Sequence, residues 1–130
     1  MLGNDHIIRA LTKSLDVAAL RQKVTAQNIA NLNTPGYRRS YVNFHAELEQ
    51  ARGKLSLNRT NPRHFPGTAL QVDPRVEVER HTSRRVDGNN VDLDEEMLDM
   101  VTNQLHYNAL VQKISDRYAD WRYIINEGRR

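Results

Sequence analysis

The chain has 130 residues, 38% hydrophobic and 6% aromatic, with 19 Lys and Arg against 16 Asp and Glu, a net charge of +3 and no cysteine. Those figures suit one domain; they exclude disulfides, thiol catalysis and thiolate metal sites and leave the compartment open. A mean hydropathy of -0.73 is polar for so small a globule, so neighbours are expected to complete the core.

The charge is unevenly divided. Residues 1–91 carry 14 Lys and Arg against 8 Asp and Glu, a net +6, and residues 92–130 carry 5 against 8, a net -3. That split suits two segments that pair within or between chains. The basic residues Arg38, Arg39, Arg52, Lys54, Arg59, Arg63, Arg84 and Arg85 are scattered and lack interleaved aromatics, which argues against a nucleic-acid partner.

Met1 to Leu20 alternates charged and apolar residues without a continuous apolar run, so neither a cleavable secretory signal nor a membrane span is read there. From about Asp5 to Asn31 the residues Ile8, Leu11, Leu15, Ala18, Gln22, Thr25, Ile29 and Leu32 recur at spacings of three and four. This heptad stripe, polar in its middle, predicts a rod-like helix on the order of 40 Å long, with Asn4 or Asp5 as its cap. Val17, Leu20 and Val24 add a second apolar line, which widens the buried face beyond a two-stranded seam.

The helical pattern stops at Asn28-Ile29-Ala30-Asn31-Leu32-Asn33-Thr34-Pro35-Gly36-Tyr37. Asn31 and Asn33 leave helical backbone space cheaply, Pro35 pushes Thr34 towards extended geometry, and Pro-Gly suits the centre of a type II turn with Gly36 at positive φ. The helix is expected to end near Asn31, with Tyr37 as an aromatic anchor where the chain folds back.

The middle is mixed. Glu47 to Arg52 reads as a short helix, and Leu70, Val72, Val76 and Val78 alternate as an edge strand, with Pro74 excluding a central one. Thr60-Asn61-Pro62-Arg63-His64-Phe65-Pro66-Gly67 and Asp87-Gly88-Asn89-Asn90 are turn-forming.

The last segment carries Leu93, Met97, Met100, Gln104, Tyr107, Val111, Ile114, Tyr118, Trp121 and Ile125 at unbroken heptad spacing, with Leu98, Val101, Leu105 and Leu110 as a second line. The helix begins within Asp92 to Asp94, by a capping box of Asp92 with Glu95 or by an Asp94 cap with a Leu93–Leu98 staple. Asp92, Asp94, Glu95, Glu96 and Asp99 lie in its first turns, where the helix dipole favours negative charge, so no metal is needed to explain them.

The expected fold is mainly α: long N- and C-terminal helices packed as an antiparallel coiled-coil-like pair, with a central irregular, short-β linker region. Its divisions are residues 1–33, 34–91 and 92–130, together one domain. His6, His45, His64, His81 and His106 show no paired metal spacing. The serines lack nucleophile-elbow glycines, and no Gly-rich phosphate loop exists. Neither catalysis, a cofactor, a metal nor a small-molecule substrate is therefore expected.

Asn28-Ile29-Ala30-Asn31 followed by Thr34-Pro35-Gly36-Tyr37 resembles the N-terminal motif of bacterial flagellar rod and hook axial proteins. Thr60-Asn61-Pro62-Arg63-His64 and Asp87-Gly88-Asn89-Asn90-Val91-Asp92-Leu93-Asp94-Glu95-Glu96-Met97, with the short length, are similar to the proximal rod members of that family. The resemblance implies a non-enzymatic subunit of the basal-body rod, exported by the flagellar type III apparatus without a cleaved signal. It further implies a tubular wall that transmits torque and conducts exported subunits. Implied partners are copies of itself, other rod proteins, the rod-base adaptor, and the membrane ring with its export gate.

On that reading the assembly motif is Asn28, Ile29, Ala30, Asn31, Thr34, Pro35, Gly36 and Tyr37. The helix-packing residues are Ile8, Leu11, Leu15, Ile29, Leu93, Met97, Met100, Tyr107, Val111, Ile114, Tyr118, Trp121 and Ile125. The competing class is a stand-alone helical binding module, such as a cytoplasmic chaperone or adaptor.

Overall fold

The computed structural model describes residues 2–43, 73–80, 82 and 86–126, with side chains of the first helix given from Ile7 onward. The described elements are α1 (Leu2–Ala30), β1 (Ser40–Asn43), β2 (Arg75–Val78) and α2 (Leu93–Ile125). The expected short helix at Glu47 to Arg52, the strand residues Leu70 and Val72, and the turn at Thr60 to Gly67 lie outside the described residues.

α1 starts at Leu2, ahead of the cap expected at Asn4 or Asp5, and runs through Gly3. Nothing in that stretch forbids helical backbone, and one glycine costs a helix only about 1 kcal/mol. α1 ends at Ala30, beside the expected stop. α2 starts as the sequence predicts: Asp92 is its N-cap, accepting the Asp94 backbone N–H at 3.0 Å, and Asp94, Glu95 and Glu96 fill the first turn.

The two helices pack antiparallel. Asn28 near the end of α1 meets Glu96 near the start of α2, and ten residues back on α1 the Ala18 carbonyl meets Asn103. Within one chain the α2 stripe is only partly covered. Besides Glu95, the buried and half-buried residues of α2 are Glu96, Met100, Asn103, Tyr107, Leu110, Ile114, Arg117 and Trp121, again at heptad spacing. Met100, Tyr107, Ile114 and Trp121 belong to the expected stripe, whereas Leu93, Met97, Gln104, Val111, Tyr118 and Ile125 are exposed in this chain.

The physical reason is polar. Glu96 and Asn103 find hydrogen-bond partners on α1 and the following loop, and satisfying them rotates the seam away from the apolar stripe. On α1 the secondary line supplies the deepest apolar residues, Val17 and Val24, beside Ala18, while Ile8, Leu11, Leu15 and Ile29 are half-buried.

β1 and β2 form a two-stranded antiparallel pair with Ser40 opposite Val78 and Val42 opposite Val76. β2 follows Pro74; Val76 and Val78 share one side of it but are exposed in this chain, and the half-buried residue between them is Glu77. β1 carries no such signal; it forms because its first residue is tied to α1, as described below. The buried apolar residues are only Val17, Ala18, Val24 and Val91 among those described. No described helix is long and apolar enough to cross a membrane.

Candidate assembly site

The motif at the end of α1 and the motif before α2 interlock. Asn28 sits at the centre of one half, with a side chain almost completely buried. Its Oδ1 accepts the Ser40 backbone N–H at 3.0 Å and the Tyr37 hydroxyl at 3.3 Å, and its Nδ2 donates to the Ser40 carbonyl at 2.8 Å and to Glu96 Oε2 at 3.1 Å. The amide thus pairs with Ser40 as a neighbouring strand would, which fixes where β1 begins. Burying so polar a group without cost requires this completeness.

The chain turns between them. Thr34 accepts the Tyr37 N–H at 3.2 Å across Pro35 and Gly36, and Gly36 has φ of 72°. Positive φ at the third position of this turn is the type II arrangement that Pro-Gly favours. Asn31 helps close the helix, donating its side-chain amide to the Gln27 carbonyl at 2.8 Å and accepting the Thr34 hydroxyl at 3.2 Å. Ile29 is half-buried and Ala30 exposed.

The second motif supplies what the first leaves open. A helix C-terminus ends in carbonyl oxygens without intrahelical donors. The fully buried Asn89 aims Nδ2 at three carbonyls of that exit, Asn31 at 3.1 Å, Leu32 at 3.0 Å and Thr34 at 3.0 Å. Its Oδ1 accepts the Val91 N–H at 2.8 Å, and its own N–H binds Asp87 Oδ1 at 3.1 Å. The Gly36 N–H reaches across to the Asp87 carbonyl at 3.0 Å. Asn90 grips the strand side, accepting the Arg39 N–H at 2.6 Å and donating to the Glu79 carbonyl at 3.2 Å and the Thr82 hydroxyl at 2.9 Å.

Arg39 closes the arrangement electrostatically. Its guanidinium contacts Glu95 at 2.8 Å, Glu96 at 2.5 Å and Asp99 at 2.7 Å on α2, with Glu79 at 3.9 Å. Glu96 is 1% exposed and the Arg39 side chain 17%. Burial alone would lower the Arg39 pKa, but the bond to Glu96 and the charges of Glu96, Glu95 and Asp99 outweigh it and hold the group above the ordinary arginine value. The acidic run therefore does more than complement the helix dipole: it receives the cation at the base of β1.

Sequence reasoning grouped Arg39 with scattered surface charge and Asn89 and Asn90 with a turn, and it passed over Asn103. An Asn pair after Asp-Gly has a local explanation in turn chemistry, and its distant acceptors leave no local trace. Among the described residues no three His, Asp or Glu converge as metal ligands. Of the histidines only the exposed His106 has a described side chain.

A profile described as flagella basal body rod protein matches residues 8–38, covering most of α1 and the turn. The flagellar basal body rod protein FlgB of Bacillus subtilis is 32% identical over 94% of this chain and 95% of its own length. The protein of that name from Escherichia coli K12 is 31% identical over 95% of this chain and 96% of its own. That from Borrelia hermsii is 43% identical over 72% and 76%. Similarity on this scale, running through both interlocked motifs and both helices, shows that the chain belongs to the FlgB family of flagellar basal body rod proteins.

Proposed function

We propose that this chain is a structural subunit of the proximal flagellar rod that polymerises through the outer side of α2. The observation that carries this reading is an apolar line the monomer leaves uncovered. Leu98, Val101 and Leu105 are 67%, 55% and 66% exposed, and each lies two positions from a seam residue, about 200° around the helix. A helix apolar on two sides is built to be buried on two sides.

Leu93, Met97, Val111, Tyr118 and Ile125 extend the uncovered surface along the flank. Together with the half-buried Ile8, Leu11, Leu15, Met100, Tyr107, Ile114 and Trp121 of the internal seam, they form the helix-packing surface of the subunit. In this reading the interlocked turns fix the relative placement of the helices, and neighbours cover the rest.

The neighbours are further copies, rod proteins of the FlgC, FlgF and FlgG types, and at the base a FliE-type adaptor with the membrane ring and export gate. The assembled wall transmits torque and conducts exported subunits. The chain reaches its place in the periplasmic basal body by flagellar type III export, without a cleaved signal. Family membership and the two-sided helix support these roles.

The test is the double substitution Leu98→Glu with Leu105→Glu in a strain lacking the native copy. Monomer helix content by circular dichroism is expected to match wild type, secretion to continue, and incorporation into basal bodies to fall at least tenfold. Normal incorporation would show that this face is not a contact, whereas a wild-type chain absent from basal bodies would favour the stand-alone module.

A further inference from the structure

The strand pair has two edges, and α1 engages one of them. Hydrogen-bonded and open residue pairs alternate along an antiparallel ladder. The Glu79 N–H donates to the Arg39 carbonyl at 2.8 Å, which sets a bonded pair there. With Ser40 opposite Val78, Tyr41–Glu77 and Asn43–Arg75 are then bonded pairs, and Ser40–Val78 and Val42–Val76 are open ones. Ser40 accordingly turns its backbone away from β2, where the Asn28 amide takes both its N–H and its carbonyl.

By the same alternation Val76 and Val78 turn their N–H and carbonyl groups away from β1. Among the described residues no strand lies beyond them, since the sheet consists of β1 and β2 alone. Their exposed side chains share one side of the sheet with Val42, which stands opposite Val76. An open strand edge is a template for another strand, and a two-stranded pair is marginal by itself.

This edge is complementary to itself. Set antiparallel to a second β2 with Val76 opposite Val76, it brings the Val76 N–H of each copy to the Val76 carbonyl of the other. The Val78 N–H of each copy then meets the Pro74 carbonyl of the other; Pro74 has no N–H to give but still accepts. Arg75 of each copy stands opposite Glu77 of the other, in an open pair where side chains lie closest. Asp73 and Glu79, the like charges next in line, already face cations in Lys13 and Arg39. A shifted register with Val76 opposite Val78 would instead set Glu77 against Glu77, which is unfavourable.

We propose that β2 pairs edge to edge with β2 of a second copy of this chain, giving one antiparallel sheet in the order β1–β2–β2–β1. Val42 and Val76 of both copies form a continuous row across it. The contact has a two-fold axis, so it joins two copies and stops, whereas a wall of repeating subunits needs a head-to-tail contact. The pair is therefore a state of the chain outside the rod, separate from the α2 contact, and it stands on strand geometry and charge alone.

The chain has no cysteine, so one substitution reports the register. Val76→Cys in the purified full chain sets two thiols opposite each other, at the roughly 5.5 Å Cα separation of a bonded pair, which a disulfide spans. Mild oxidation is expected to give a band of twice the subunit mass, at least tenfold stronger than from Ala26→Cys at an exposed position of α1. Val78→Pro added to Val76→Cys should reduce the band at least tenfold with helix content unchanged, because the N–H it removes makes no bond to β1. Where the proline lowers helix content, charge exchange decides: Glu77→Arg should weaken the band and Arg75→Glu added to it should restore it. A Val76→Cys yield no higher than that of Ala26→Cys would overturn the pairing. So would a yield unchanged by Val78→Pro at wild-type helix content, or unchanged by Glu77→Arg where the proline disturbs the fold. The rod reading is decided separately, by incorporation into basal bodies.

Discussion

Gly36 and Gly88 face each other across the junction of the two motifs: a β-carbon on Gly88 would stand 3.8 Å from the Gly36 Cα, and the two residues have φ of 82° and 72°. Among the described residues nothing lies within 4 Å of a β-carbon built on Gly36. Space is therefore adequate at both positions, and the requirement for glycine comes from the left-handed backbone.

This gives an ordered prediction. Gly36→Ala should cost about 1 to 2 kcal/mol, Gly36→Val more because a branched β-carbon tolerates this region least, and Gly36→Asn less than either. Denaturant midpoints followed by circular dichroism give the ranking. Equal costs for Ala and Val would mean that the turn relaxes to another conformation.

Asn89 makes a sharper demand, because three carbonyl oxygens converge on one amide. Asn89→Ala should destabilise by about 1 to 3 kcal/mol through the acceptors it leaves unmet. Asn89→Asp should be worse at neutral pH, since a buried carboxylate would face those oxygens. That environment raises the folded-state pKa above the unfolded one, so the variant retains most stability at pH below the ordinary aspartate range and loses it as pH rises through the folded value. Urea midpoints of the two variants between pH 3 and 7 provide the check, and an Asp variant insensitive to pH would show that this amide is not the cap.

Removing the Arg39 charge strands a carboxylate that is 1% exposed. Arg39→Met should cost about 3 to 5 kcal/mol, and adding Glu96→Gln should recover part of it, because a neutral amide suffers less from the missing cation. The Arg39 pKa is raised, so its contribution is fully present below the unfolded arginine value and is lost only in strong alkali; from neutral pH to pH 9 the wild-type stability should not vary on its account. A double-mutant cycle measured by thermal denaturation tests the coupling. Additive losses would show that Arg39 and Glu96 act independently.

Much of this was determined by local sequence. Heptad spacing marks two long helices, Pro35-Gly36 marks a turn with positive φ, and Asp92 marks the start of α2, because helical periodicity, turn chemistry and capping involve groups only a few residues apart. The tertiary structure alone decided which side of α2 faces α1. Apolar spacing pointed to a line from Leu93 to Ile125; its Met100, Tyr107, Ile114 and Trp121 lie in the seam, its Met97, Val111 and Tyr118 do not, and the seam takes in Glu96 and Asn103 instead, since a polar side chain is buried where distant groups complete its hydrogen bonds. The partners of Asn28, Asn89 and Arg39 lie 12 to 68, 55 to 58 and 51 to 60 residues away for the bonds that matter most. No reading of neighbours along the chain contains them, because the fold-back of β1 onto α1 and the antiparallel return of α2 bring those atoms within hydrogen-bonding distance.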